Sequence, residues 1–183
     1  ILMKQQEVWN KIASEWHEYK DRPTEHTIEF LKSITGKVLD LGSGSGRHLY
    51  QIKEGKMYLV DFSKEMLKLA EKKAKEKKID AEFKQANLWE TPYEDGFFDY
   101  AISISSLHCV EGEKYREKSV KELYRVLKKG GKANIGVWNI KSKRFKNSPK
   151  EKIIGTCFLP TQNFSCTKIN YSFREKKGQN LDF

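Results

Sequence analysis

Val38-Leu39-Asp40-Leu41-Gly42-Ser43-Gly44-Ser45-Gly46-Arg47 sets an apolar run, an acid and three glycines at alternate positions within ten residues. The apolar run reads as a buried strand. The glycines read as a backbone loop that a ligand approaches to van der Waals distance, because a residue with a Cβ resists positive φ and blocks that approach. A glycine-rich turn alone is a weak signal, and a tight strand-to-helix turn without a ligand is the alternative.

The next candidate strand, Met57-Tyr58-Leu59-Val60-Asp61, closes on an acid. Asp61 stands nineteen positions after Gly42, the separation at which a carboxylate at the tip of the second strand of a βαβ unit reaches a nucleoside ribose. A carboxylate there accepts from both ribose hydroxyls. Two ligand classes use this geometry, a dinucleotide and S-adenosylmethionine. The dinucleotide fingerprint, started at Gly42, requires glycine at position 47, which is Arg47, so a pyrophosphate ligand is disfavoured.

The pattern resembles the first motif of the seven-stranded class of S-adenosylmethionine-dependent methyltransferases, with Asp40 preceding the loop and Asp61 as the ribose acid. The resemblance implies S-adenosylmethionine as cofactor and an α/β fold, a three-layer, doubly wound, mostly parallel sheet of the Rossmann-like kind. It implies cofactor contacts from Gly42, Ser43, Gly44 and Gly46, from Phe62 beside the ribose acid, and from Ser103 through its backbone near the methionine end. Asn87 and Leu88 fall at the adenine-binding turn. Most relatives place an acid at position 87, but Asn87 still offers a carbonyl oxygen to the adenine amine; a plain turn residue is its alternative.

Around this nucleus the chain alternates helices and strands, which argues for a parallel sheet wound on both sides. Val8, Trp9, Ile12 and Trp16 recur at helical spacing, Arg22-Pro23-Thr24 breaks the run, and Ile28 and Leu31 continue it, so residues 1–35 form a helical lid. Arg47 to Ile52 is expected to begin the first core helix, with its positive end beside the cofactor. Ser63 reads as the N-cap of a helix whose buried stripe is Met66, Leu67, Ala70 and Ala74. Strands are expected at Ala81 to Ala86, Phe97 to Ile104 and Lys132 to Trp138. The helix Tyr115 to Lys128 buries Val120, Leu123, Tyr124 and Leu127, with Lys129-Gly130-Gly131 ending it. The cofactor-binding core thus spans 36–140. Residues 141–183 are a basic segment and a weakly patterned tail, read either as a truncated or irregular terminal hairpin or as partly disordered.

Val8 to Trp16, Ser103 to His108, and Glu122 to Gly131 through Val137-Trp138 together resemble the tRNA wobble-uridine carboxyl methyltransferases. That family methylates the carboxylate of 5-carboxymethyluridine, often with a small zinc-binding activator subunit. The resemblance implies positioning roles for Lys20, Arg22 and His108. Lys20 and Arg22 are candidates for holding the substrate or methionine carboxylate, and His108 for orienting substrate; surface cations and a structural histidine are the alternatives. Trp16 and Tyr19 are candidates to close over the sulfonium, with core packing as the alternative for Trp16 and the preferred reading for Trp9. Cys109 reads as a small buried residue, since direct methyl transfer needs no covalent enzyme intermediate.

A formal charge of +10 over 183 residues favours phosphate-bearing partners and disfavours basic ones. The run Lys141, Lys143, Arg144, Lys146, Lys150 and Lys152 is offset only by Glu151. Trp138, Asn139, Lys143, Arg144 and Lys146 are therefore the expected substrate-binding residues, and tRNA the expected partner. Three cysteines without CxxC or metal-ligand spacing indicate neither a disulfide framework nor a metal site. No apolar stretch reaches the roughly 20 residues that cross a bilayer, and no signal-peptide core is visible, so the expected compartment is the cytoplasm. A small-molecule methyltransferase of the same fold and a catalytically idle cofactor-binding subunit remain the rival functions.

Overall fold

The computed structural model describes residues 5–137. Trp138, Asn139, the basic run containing Lys143, Arg144 and Lys146, and the expected terminal hairpin lie outside the described residues. Five strands, β1 (Thr35–Leu41), β2 (Lys53–Asp61), β3 (Ala81–Gln85), β4 (Phe98–Ile104) and β5 (Leu127–Gly136), form one sheet in the order β3-β2-β1-β4-β5. Every neighbouring pair is parallel. Strand β1 is central, its Leu39 in register with Tyr58 of β2 on one side and Ala101 of β4 on the other. The chain runs outward from β1 to β3 and then crosses back to β4. The crevice beyond the carboxyl ends of β1 and β4 is thus the topological switch point, where open parallel sheets bind ligands.

Alternation along the strands builds two cores. Leu39, Leu41, Tyr58, Val60 and Ala101 pack with Val120, Leu123 and Val126 of α5 (Glu113–Val126). Val38, Met57, Leu59 and Ile102 face the other way, onto Leu31 of α3 (Glu25–Lys32) and Ala70 and Ala74 of α4 (Lys64–Lys77). With both faces covered, the strands can be apolar almost throughout, and the three-layer doubly wound architecture follows. Ser63 caps α4 as expected, its hydroxyl accepting from the Met66 N–H at 3.2 Å.

Three local expectations are corrected. Tyr124, expected on the buried face of α5, is 56% exposed. Arg47 to Ile52 does not begin a helix: the chain passes from β1 to β2 through turns and an irregular stretch at 42–52. Leu49 and Ile52, at helical spacing, are both buried in the core beneath α4, but six residues before a strand form too few turns to repay helix nucleation. The fifth strand also starts earlier than expected. Helix α5 stops at Val126, and Leu127 is already extended (φ −83°, ψ 137°) and pairs with Phe98, so Lys129-Gly130-Gly131 lies inside a strand irregularity.

The first 28 described residues form three helices, α1 (Gln5–Lys11), α2 (Ala13–Tyr19) and α3, with a break at Ile12 besides the one at Pro23. Helices α1 and α2 pack on α4. Gln6 Nε2 donates to the Phe62 carbonyl at 2.6 Å, the Ser63 hydroxyl donates to Asn10 Oδ1 at 2.7 Å, and buried Lys73 of α4 pairs with Asp21. These ties seat the amino-terminal helices over the crevice.

Candidate active site

At the switch point lies a cavity of about 410 Å³, within the range of small-molecule pockets. Gly42, Ser43, Gly44 and Ser45 border it from below, Asp61 and Phe62 from the end of β2, and Asn87, Leu88 and Trp89 from the turn after β3. Ser105, Ser106 and Cys109 border it beyond β4, while Trp9, Trp16 and Lys20 contribute from the amino-terminal helices.

The loop is fixed by its backbone. The N–H groups of Gly42 and Ser43 donate to the Val60 carbonyl at 2.8 and 3.0 Å, and the Ser106 hydroxyl donates to the Gly42 carbonyl at 2.8 Å. Gly42 has φ +78°, and a Cβ there would stand 2.6 Å from Ser106 Oγ. Gly44 has φ +54°, and no atom lies within 4 Å of where its Cβ would be. Steric crowding therefore requires glycine at position 42, whereas position 44 opens onto space left for something else.

Asp61 is 7% exposed, and each of its carboxylate oxygens accepts one main-chain bond: Oδ2 from the Gly44 N–H and Oδ1 from the Ser63 N–H, each at 2.9 Å. Burial pushes its carboxyl up to about 6, while the backbone donors of Ser63, Gly44 and Phe62 hold it down. It is ionised at neutral pH and retains lone pairs for ligand hydroxyls. Asp40 is pushed up to about 7 by burial, with Arg47 lowering it and Asp61 raising it. It lies behind the loop rather than on the cavity surface, and its Oδ2 has no hydrogen-bond partner among the described residues.

The other expected residues divide. Trp16, Lys20, Gly42, Ser43, Gly44, Asp61, Phe62, Asn87 and Leu88 border the cavity. Gly46 packs on Ala70 of α4, with 3.0 Å left for a Cβ. Ser103 is fully buried and donates to the Leu41 carbonyl at 2.9 Å, pinning β4 to β1. Arg22 and His108 are not among the cavity-bordering residues, and burial drives the His108 imidazole down to about 4, so it is neutral at physiological pH. Tyr19 is 58% exposed, its ring 6.1 Å from that of Trp16.

Several bordering residues escaped sequence reasoning. Trp9, read as core, meets Trp16 edge-on at 5.2 Å and shares the cavity wall; helical spacing marks a buried face without saying whether protein or ligand covers it. His48 also borders the cavity, its Nε2 accepting from the Thr24 N–H at 3.3 Å. Burial, then Arg47 and Lys73, bring it down to about 3, so a neutral ring ties the glycine loop to the start of α3. No sequence signal announces this contact.

The donor set fits S-adenosylmethionine: an open cradle at Gly44, a buried carboxylate at the β2 tip, a buried Ser43 hydroxyl with no hydrogen-bond partner among the described residues, and an aromatic wall. Comparisons agree. The Methyltransferase domain family matches residues 39–135. The tRNA (carboxymethyluridine(34)-5-O)-methyltransferase of Schizosaccharomyces pombe is 30% identical over 96% of this chain and 73% of its own length. The protein of that name from Xenopus tropicalis is 30% identical over 78% of this chain, which spans only 22% of that longer protein. The demethylmenaquinone methyltransferase of Lactococcus lactis is 32% identical over 69% of this chain and 55% of its own length. A putative S-adenosylmethionine-dependent methyltransferase from Methanococcus maripaludis superposes with a TM-score of 0.57 at 26% identity, over 75% of this chain and 66% of that one. With its fold, its glycine loop and its matching domain in agreement, this chain belongs to the methyltransferase domain family and is an S-adenosylmethionine-dependent methyltransferase.

Proposed function

We propose that this methyltransferase acts on tRNA, at the carboxylate of a 5-carboxymethyl wobble uridine. The observation that carries the reading is the match to a tRNA (carboxymethyluridine(34)-5-O)-methyltransferase along 96% of the chain, supported by the charge of +10, which suits a polyanionic partner.

S-adenosylmethionine supplies a methyl group on a positively charged sulfur. A carboxylate acceptor is ionised at neutral pH, so the protein needs no general base. Its task is to align the acceptor oxygen with the methyl carbon and to exclude water. Asp61 and the Gly42–Gly44 loop hold the adenosine, and Asn87 and the Leu88 backbone meet the adenine edge. Trp16 covers the cofactor, and Lys20, at the cavity wall, positions a carboxylate. In this reading residues 1–35 act as a lid, and Arg22 and His108 act from behind the cavity surface. Trp138, Asn139, Lys143, Arg144 and Lys146, outside the described residues, are the RNA-binding candidates, and 36–140 is the cofactor-binding core. A small zinc-binding activator subunit and a cytoplasmic setting, inferred from the family resemblance and the cysteine pattern, complete the proposal.

The test is incubation with labelled cofactor and unfractionated tRNA, with and without an activator, followed by identification of the labelled nucleoside by mass. Label in 5-methoxycarbonylmethyluridine is expected. Label in no RNA, with turnover on a demethylated quinone, would shift the assignment to a small-molecule enzyme; tight cofactor binding without turnover would favour an idle subunit.

A further inference from the structure

Helices α2 and α3 are joined by an irregular linker, residues 20–24, and the linker is tied to the core at two points. Asp21 pairs with buried Lys73 of α4. Three residues on, the Thr24 N–H donates to His48 Nε2 at 3.3 Å, while the Thr24 hydroxyl donates to the buried Thr27 hydroxyl at 2.6 Å. Pro23 has no N–H to donate, so Thr24 supplies the main-chain tie at the entry to α3. His48 is itself 3% exposed and borders the cavity, as do Trp16 and Lys20 on the amino-terminal side of the linker. A shift of the linker therefore carries both away from the site.

An imidazole accepts at Nε2 only while that nitrogen carries no proton. A protonated ring would set its own N–H against that of Thr24. Burial, then Arg47 beside it on the glycine loop and Lys73 from α4, hold the ring neutral. Asp21 faces Lys73 from the linker, and His17 of α2 and Lys77 of α4 act on Asp21 in turn. From α3 the contacting residue, Thr24, is uncharged. Once the linker lifts away, the ring meets water and returns towards the ordinary histidine value of about 6.5. The seated linker thus excludes a proton that the open form takes up as pH falls below about 6.5. Linkage then raises the open fraction by up to about ten-fold per pH unit.

We propose that His48 is a positioning residue: its neutral ring latches the linker at Thr24 and so keeps Trp16 and Lys20 at the cavity, and protonation of the ring releases the latch. The inference goes beyond the tRNA reading and requires no particular methyl acceptor.

The test is hydrogen exchange, read by mass spectrometry over residues 5–24 of the ligand-free protein between pH 7.5 and 5 and corrected for the intrinsic pH dependence of exchange. Wild type is compared with His48→Gln, His17→Gln and Asp61→Asn. Glutamine keeps an acceptor at the reach of Nε2 and does not titrate in this range. Wild type is expected to hold its protection down to about pH 6.5 and then to lose it by up to about ten-fold per unit. His48→Gln is expected to show wild-type protection at pH 7.5 and no slope below it, while His17→Gln and Asp61→Asn keep the wild-type slope. A slope that persists in His48→Gln, or no slope in the wild type, would overturn the proposal; so would its loss in His17→Gln or Asp61→Asn with the slope retained in His48→Gln. Nitrogen NMR titration of His48 in the wild type gives a readout free of any variant. A ring that takes up its proton near pH 6.5 while residues 5–24 stay protected would also contradict the latch.

Discussion

The Gly44 N–H donates to Asp61 Oδ2 at 2.9 Å across 17 residues of chain, joining the loop after β1 to the tip of β2. The same carboxylate takes the Ser63 N–H on its other oxygen, also at 2.9 Å. Asp61 is thereby aimed before any ligand arrives, and the ribose recognition proposed for it would require no reorganisation of the acid.

Cofactor affinity is expected to depend on pH through this group. Burial raises Asp61 to about 6, so above that pH the carboxylate is ionised and accepts from hydroxyls; as pH falls through 6 it protonates and loses acceptor capacity. S-adenosylhomocysteine affinity measured by calorimetry should be flat from pH 8 to 7 and decline below about 6. Asp61→Asn should bind more weakly at pH 8 and show a much flatter profile over the same interval.

Two glycine substitutions should separate fold from function. Gly42→Ala places a Cβ against Ser106 at a backbone φ of +78° and is expected to lower the melting temperature by several degrees, since strain and overpacking together cost about 2–4 kcal/mol. Gly44→Ala meets no protein atom within 4 Å, so its stability cost should be confined to its φ, about 1–2 kcal/mol. Its cofactor affinity should nevertheless fall more than ten-fold, as read by parallel melting and binding curves.

Glu122 offers a control distant in role. Buried on α5, it accepts from the Thr91 N–H and hydroxyl at 2.7 and 2.6 Å and from Arg125 at 2.7 and 2.8 Å. Burial alone would raise its carboxyl, but Arg125 and Thr91 outweigh it and hold the group below the usual range. Its contribution to stability is thus present above the ordinary glutamate pKa and lost as pH falls through the lowered one. Glu122→Ala leaves the Thr91 N–H and hydroxyl without their acceptor and Arg125 with only Asp95 Oδ1, and should cost about 1–3 kcal/mol in denaturant unfolding, with cofactor affinity in the folded protein unchanged.

The amino-terminal helices should loosen when their ties to α4 are cut. Asp21→Asn leaves the buried Lys73 ammonium without a counter-charge; because Asp21 is itself half exposed, the cost is about 1 kcal/mol rather than that of a fully buried pair. Asn10→Ala removes the acceptor for the Ser63 hydroxyl. Limited trypsin digestion is expected to cut within residues 5–32 faster in both variants than in wild type, with S-adenosylhomocysteine slowing the cut in all three.

What could be read from the chain was what local spacing encodes. Gly42 and Asp61 close neighbouring parallel strands, so their separation alone points to the nucleoside site proposed there, and Ser63 marks a helix start through three residues of capping chemistry. The segment Arg47 to Ile52 misled because Leu49 and Ile52 are spaced like a helix face, yet both are buried by a connection too short to wind one. Contacts across long stretches were not legible: Ser106 on the Gly42 carbonyl and His48 on Thr24 join residues whose proximity only the sheet order creates. Trp9 and Trp16 share one helical pattern whether protein or cofactor fills the space beside them.

The central claim, that adenosine is held between the Gly42–Gly44 loop and Asp61, is tested most directly by calorimetric titration of S-adenosylhomocysteine into wild-type and Asp61→Ala protein at pH 7.5, with folding of both verified by circular dichroism. Saturable one-to-one heat with the wild type and at least a ten-fold loss of affinity in Asp61→Ala is the predicted result; equal binding by the two proteins, or no binding by the folded wild type, would contradict it.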